Sequence, residues 1–523
     1  MKTRIRVARR AGSFTALLLA VSSILAASDR HLWAANSDLR LVDAVKHQNT
    51  DEIRALLTQQ LDVNATEGDG STALHWAAYR DDLQTVALLI QAGANPNPAN
   101  EHGVTPLSLA CTNGNAAMVE TLLAAGADAN AALKTGETVL MTCARAGSAE
   151  AVTAILTRGA DVNAKEGSEH QTALMWATAQ RHPAVVRVLI EHGADIHAQS
   201  RVSRQVITRD GRKAEEADVG GFTALLFAAR QGDVDSARLL LAGGADRNDA
   251  SPDGTSALVV ATRSGQRAFA QFLLDQGASP DAAGAGYTAL HAAVLSGDRD
   301  LVRSLLAHGA NVNARITQGT RVTRFGQVAE LSNVLSGATP FALAAKFIEL
   351  DIMRLLVNSG ADPAIPLKNG WTPLMLAAGA GWSRAPDTDR RNRLLNNDLA
   401  TQAEISNERG TLEVVKMLVE LKADVNAADD RGDTALHHLV ETGFNGVVEF
   451  LAMSGANVNA KNKLGQTPLA ALRASRTLGG NAAGGGNLEG YEALVQATND
   501  LLLKFGADDP GTPLARKVGD PAR

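Results

Sequence analysis

Apolar residues in this chain fall into short blocks that recur at a fixed interval. Heptapeptides such as TALHWAA (72–78), TPLSLAC (105–111), TVLMTCA (138–144), TALMWAT (172–178), TALLFAA (223–229), SALVVAT (256–262), TALHAAV (288–294), TPFALAA (339–345), TPLMLAA (372–378), TALHHLV (434–440) and TPLAALR (467–473) mark eleven copies, with five of the ten intervals 33 residues long and two more within one residue of that. Each block opens on a Thr or Ser suited to a helix N-cap, in four cases followed by Pro (Pro106, Pro340, Pro373, Pro468), which the first helical position tolerates. A turn, often with Gly (Gly114, Gly147, Gly232, Gly265, Gly297), leads to paired aliphatics such as Leu88-Leu89, Leu122-Leu123 and Leu240-Leu241. A further Gly (Gly93, Gly126, Gly159, Gly193, Gly360) follows, as a left-handed helix end requires. The pattern predicts one unit repeated along the chain: short helix, turn, second helix, extended turn.

These units resemble ankyrin repeats. The resemblance rests on TALH (Thr72 to His75) and GADVNA (Gly159 to Ala164) recurring with the 33-residue period, and it covers residues 38–509. Asp38 to Ala65 resembles an opening repeat with a modified first helix, which makes twelve helix pairs. The expected fold is an all-α repeat solenoid, an ankyrin-repeat array with β-hairpin fingers and short insertions.

Departures from the period locate those insertions. Two intervals, 172 to 223 and 288 to 339, are 18 residues too long. The first extra segment, 201–220, alternates as VSRQVITRDGRK, and Asp210-Gly211 predicts a hairpin tip. The second, 315–337, has RVTRFGQV followed by a more helical AELSNVL. A third insertion near 381–410, rich in Arg and Asp, is expected to be partly helical between the two helices of one repeat, and a Gly-rich loop at 479–490 takes the same place in the last repeat. Lys422 stands where other repeats have their terminating Gly, so that helix is expected to end less favourably. Residues 510–523 are read as a disordered tail.

Composition adds the compartment. The 523-residue chain carries 50 Lys+Arg against 56 Asp+Glu, a net charge of −6. Residues 1–28 begin with five cations (Lys2, Arg4, Arg6, Arg9, Arg10) and continue as the apolar GSFTALLLAVSSILAA, the pattern of a secretory signal peptide, with cleavage expected after Ser28. An uncleaved N-terminal anchor is the alternative. Removing those five cations from −6 leaves −11, a balance unlike that of a nucleic-acid binder. No other stretch is apolar enough to span a membrane. The mature chain is therefore expected to be exported, to the periplasm first and the extracellular space second, to act as a monomer, and to have a protein as its partner.

The search for chemistry is negative. The sequence has no phosphate loop, no GxSxG, no HExxH and no CxxC, and neither a catalytic residue, a cofactor nor a metal is assigned. Cys111 and Cys143 would be able to pair in an oxidising compartment, but the preferred reading is two buried free thiols standing in for alanine. For His75, His291 and His437 the resemblance implies a hydrogen bond to the neighbouring turn. For the Asp and Asn residues of the GADVNA stretches (Asp161, Asn163, Asp195, Asn311, Asn313, Asp424, Asn426, Asn457, Asn459) it implies turn capping and bonds between adjacent fingers rather than calcium binding.

Aromatic residues are scarce, 4% of the chain, so their placement matters. In ankyrin arrays the first helices and the fingers line the binding groove, and the resemblance puts nine residues there: Trp76, Tyr79, Arg80, Arg145, Trp176, Arg230, Tyr287, Lys346 and Trp371. Rings interleaved with cations are the composition of binding hot spots. Packing between repeats is the competing role, most of all for Trp76 and Trp176. The expected function is an exported scaffold that binds a partner protein through the groove. The alternatives are a secreted effector acting on a protein of another cell and an enzyme using Asp387 and Asp389 of the third insertion.

Overall fold

The structure is a computed structural model that describes residues 38–209, 213–317, 321–324, 327–330, 335–380, 400–440, 442–478 and 488–508. The signal segment 1–28, the terminal tail 510–523, residues 381–399 of the third insertion and most of the 479–490 loop lie outside them.

The described chain forms helix pairs in two compact units, residues 1–161 and 162–523. The first unit holds α1 (Arg40–Lys46) with α2 (Thr50–Thr58), α3 (Ala73–Tyr79) with α4 (Leu83–Gln91), α5 (Pro106–Asn113) with α6 (Ala116–Ala124), and α7 (Val139–Ala146) with α8 (Ala149–Thr157). The second holds α9 (Ala173–Ala179) with α10 (Pro183–Glu191), α11 (Ala224–Gln231) with α12 (Val234–Ala242), α13 (Ala257–Arg263) with α14 (Arg267–Asp275), and α15 (Ala289–Ser296) with α16 (Arg299–Ala307). It continues with α17 (Pro340–Lys346) and α18 (Leu350–Asn358), α19 (Pro373–Ala377) and α20 (Ala400–Glu420), α21 (Ala435–Leu439) and α22 (Asn445–Met453), and α23 (Pro468–Leu478) and α24 (Leu488–Lys504). These are the twelve pairs the period predicts. Within each unit the first helix of a pair packs on the first helix of the next, and second helices do likewise.

Local chemistry sets each boundary. The Thr that opens a block is extended and its hydroxyl accepts from the third helical amide, as Thr105 does from Ser108 N at 3.1 Å while Ser108 Oγ accepts from Thr105 N at 2.9 Å. Several second helices begin on a short polar side chain: Asp82 Oδ1 accepts from Thr85 N at 3.0 Å and Asn115 Oδ1 from Met118 N at 3.1 Å. The alanines of the first helices, such as Ala73, Ala77, Ala110, Ala173 and Ala228, are 0–1% exposed, which lets helices stack at short distance.

That distance overturns one expectation. Cys111 on α5 and Cys143 on α7 are joined by a disulfide, with Cα atoms 4.4 Å apart. They lie 32 residues apart, one short of the repeat, so they meet diagonally across two stacked helices. The small-residue packing that suggested an alanine substitute is what brings the two sulfurs within bonding range.

Fingers join neighbouring pairs. In the first unit the Asn97 amide donates to Gly126 O at 2.8 Å while its oxygen accepts from Asp128 N at 2.7 Å, and Asn130 repeats this with Gly159 O and Asp161 N. In the second unit Asn313, Asn426 and Asn459 make the same two bonds to the next repeat. This is the bonding between adjacent fingers that the resemblance implies.

The first insertion is a hairpin, β1 (Val202–Arg209) paired antiparallel with β2 (Lys213–Gly220). The second pairs β3 (Arg321–Arg324) with β4 (Gln327–Glu330). Here Ala329 and Glu330, expected to open a helical stretch, are strand residues, because cross-strand pairing with Val322 and Arg321 overrides their own helix preference. The third insertion is helical where described: α20 runs 21 residues, extending the second helix of its pair backwards.

Candidate binding surface

The first unit gathers an aromatic and charged surface at the ends of α1 and α3. Trp76 is half-buried, and its indole N–H donates to Glu67 Oε2 at 2.6 Å. Lys46 pairs with the same carboxylate through the other oxygen and lies over the Trp76 ring, 4.6 Å from its centroid. Tyr79 meets Trp76 edge to face, with centroids 5.9 Å apart at 90°. Arg80 is exposed, its guanidinium carbon 6.0 Å from the centre of the Tyr79 ring. The sequence reading found Trp76, Tyr79 and Arg80 but not Lys46 or Glu67. Lys46 ends the opening repeat's first helix as Tyr79 ends the next, so the register that holds Tyr79 and Arg145 pointed to it as well. Arg145, further along this unit, is held by Glu137 at 3.2 Å.

The second unit divides its five predicted residues. Trp176 is half-buried and Arg230 exposed, whereas Tyr287, Lys346 and Trp371 are turned into the packing. Tyr287 is 0% exposed; burial pushes its phenol up, and the Arg263 guanidinium beside it pulls the other way. Lys346 extends along the stack so that its ammonium donates to Ala380 O of the next pair at 3.1 Å. The Trp371 indole donates to Asp429 Oδ2 at 2.9 Å, with the His438 ring edge-on 6.2 Å away. Lys346 was placed on the groove because it follows the alanine pair of its first helix, and Tyr287 and Trp371 because they sit where repeat and finger join. At such a junction a long side chain is close enough to a neighbouring repeat to pack against it, and there it loses more water contact than a groove residue does.

The histidines behave as the resemblance implies. Thr72 N donates to His75 Nδ1 at 3.1 Å, so the ring's proton is on Nε2, which donates to Val104 O of the next repeat at 3.0 Å. His291 and His437 repeat the arrangement with Thr288 and Ala338, and with Thr434 and Gln466. Burial holds all three rings below the ordinary imidazole range, His291 to about 4.

Among the described residues, Asp429, Asp433 and His438 bring one ligand-type atom each within 4.8 Å of one another. The Asp429 carboxylate is already engaged: Oδ1 accepts from Arg431 N at 2.8 Å and Asp433 N at 2.9 Å, and Oδ2 accepts from Trp371. Burial pushes its pKa up, but His438, these two amides and the indole together push it further down, to about 2. Arg431 also lies 3.4 Å from Asp433. No helix among the described residues is long and apolar enough to cross a membrane.

Stacked helix pairs, capped by Thr and joined by asparagine-bonded fingers, define a class of repeat protein that presents one row of side chains per repeat. A family model for ankyrin repeats, built on three copies, matches residues 41–133, 125–200, 207–284, 225–316 and 403–501, and the chain belongs to the ankyrin-repeat family. It is 38% identical over 213 residues to human ankyrin repeat and SOCS box protein 16, covering 38% of this chain and 43% of that protein. It is 30% identical over 191 residues to the mouse B-cell lymphoma 3 protein homolog, covering 34% and 40%. To human 2-5A-dependent ribonuclease it is 31% identical over 194 residues, covering 28% and 24%. The chain thus spans less than half the length of each of these relatives. The last of them carries an enzyme's name, so likeness to the array alone leaves the question of catalysis open.

Proposed function

We propose that this chain is an exported scaffold that binds a partner protein through the first-helix face of its repeats. The carrying observation is the contiguous surface made by Lys46, Glu67, Trp76, Tyr79 and Arg80. It is aromatic and charged and held in place by its own contacts, so little side-chain freedom is lost when a partner arrives. Membership of a repeat family whose units stack into a presenting surface supports binding over catalysis. The disulfide supports an oxidising compartment, in keeping with the N-terminal signal pattern, and the periplasm is the location we assign.

A photo-crosslinking amino acid placed at Arg80, and separately at Glu120 on the exposed side of α6, tests the reading in intact cells. The same protein cross-linked from Arg80 and not from Glu120 supports it. Cross-links only from Glu120, or none from Arg80, would move the site elsewhere. Fractionation of the same cells tests export, and mature chain confined to the cytoplasm defeats that part.

A further inference from the structure

A second feature of the first-helix face lies in the other unit, where α11 ends beside the base of the β1–β2 hairpin. Arg230 is exposed there, yet its guanidinium carbon sits 4.9 Å from the centre of the Phe227 ring and 5.7 Å from that of Phe222. The two rings pack edge to face, 5.7 Å apart. Phe227 is 4% exposed and packs with Met175 and Ala198. Phe222 is fixed through its backbone: Ser200 N donates to Phe222 O at 3.0 Å, and Phe222 N donates to Ser200 Oγ at 2.9 Å. The rings are therefore anchored before any ligand arrives, and the cation lies against them.

What this cation lacks is a counter-ion. At comparable positions the array satisfies its cations internally: Lys46 through Glu67, Arg145 through Glu137, and Lys346 through a backbone carbonyl. The Arg230 guanidinium makes no ion pair and no hydrogen bond among the described residues; only its backbone oxygen is used, accepting from Gln266. Crowding by the rings draws water away from it and lowers its pKa, and no neighbouring charge offsets this. The two rings lie against the guanidinium, and none of its N–H groups meets an acceptor among the described residues. The N–H edge of a guanidinium matches a carboxylate in two parallel hydrogen bonds, and a partly desolvated setting strengthens them.

We propose that Arg230, held by Phe222 and Phe227, is a receptor for one carboxylate of an acidic peptide segment in the partner protein. This rests on the reading of the first-helix face as a binding surface and adds the partner's chemistry to it. A carboxylate is favoured over a phosphate because the guanidinium stands alone. A phosphomonoester carries close to two charges, and one of them would have no partner here.

The test is a random peptide library panned on the full oxidised chain and, in parallel, on Arg230→Gln and Arg230→Lys, each checked for unchanged helicity and melting temperature. Peptides selected by the unaltered chain should share an Asp or Glu at one position. They should bind Arg230→Gln at least tenfold more weakly, and Arg230→Lys should recover only part of the loss, because lysine keeps the charge but not the planar fork. Changing the shared acid to its amide should cost the unaltered chain the same factor and Arg230→Gln almost nothing. Selected peptides without a common acid, equal binding by Arg230→Gln, or tighter binding when phosphoserine replaces the acid would each overturn the assignment. Retention of no peptide at all would also overturn it, while cross-linking from Arg80, in the other unit, judges the underlying reading separately.

Discussion

Single residues carry two kinds of cost here, one of charge and one of backbone. The neutral state of His291 is imposed twice, by an amide that needs Nδ1 as an acceptor and by complete burial. Its pKa of about 4, against an ordinary 6.5, ties stability to pH. Above pH 6.5 the ring is neutral folded or unfolded, and its contribution is fully present. Between 6.5 and about 4 the unfolded chain takes up the proton and the folded chain does not, so stability falls by up to about 3 kcal/mol and then levels. Ser108 fills the same position in the repeat of α5 without a titrating group. We therefore expect His291→Ser to be less stable at pH 7 but to lose less stability between pH 6.5 and 4, as read by urea midpoints. An unchanged slope would place the pH dependence elsewhere. The backbone cost sits at Lys422, whose φ of +67° is the left-handed region expected of glycine. Lys422→Gly should stabilise the second unit by about 1 kcal/mol, seen as a raised thermal midpoint. That position was legible in the sequence as a missing Gly. The inward turn of Trp371 was not, since its partner Asp429 is 58 residues away and only stacking brings them together.

At the scale of elements, the helices were legible because each end is fixed locally, by a Thr cap, a Pro or a Gly within a few residues. The hairpin of 201–220 was legible for a similar reason, since the alternation of VSRQVITR marks β1, while the expected tip at Asp210-Gly211 lies outside the described residues. The second hairpin was read only in part. Its β4 residues Ala329 and Glu330 carry no strand signal of their own and are recruited by pairing with β3. The junctions between elements are where the finger asparagines act. Asn426 donates to Gly455 O at 3.0 Å and accepts from Asn457 N at 2.7 Å. Both side-chain bonds reach the next repeat, and only the backbone N–H stays within its own, donating to Asp424 Oδ1 at 2.8 Å. Asn426→Ala should cost about 1–3 kcal/mol with helicity unchanged at low temperature. Hydrogen exchange should accelerate in the finger that precedes α23. Uniform acceleration across the unit would mean that the asparagine acts within its own repeat instead.

For the whole molecule the repeat makes stability a sum of pairs and of contacts between neighbours, and the disulfide adds a covalent contact of the second kind. It closes a loop of 32 residues between α5 and α7, which removes about 3–4 kcal/mol of freedom from the unfolded chain. We expect a reductant to lower the melting temperature of the first unit, and Cys111→Ala with Cys143→Ala to match the reduced protein and no longer respond to reductant. If the double variant melts with the oxidised protein, the bond contributes nothing to stability. The pairing was hidden in the sequence because the two cysteines are one residue out of register with the repeat. A strict 33-residue alignment sets Cys143 beside Ala110 rather than Cys111.

The same bond changes how the chain answers a mechanical load. Pulled apart from its ends, a repeat array pays out its length one helix pair at a time, but the segment between Cys111 and Cys143 is a closed ring and transmits tension through its sulfurs. Roughly 110 Å of contour stays stored until the bond is reduced, so this part of the array behaves as a short inextensible link between extensible neighbours.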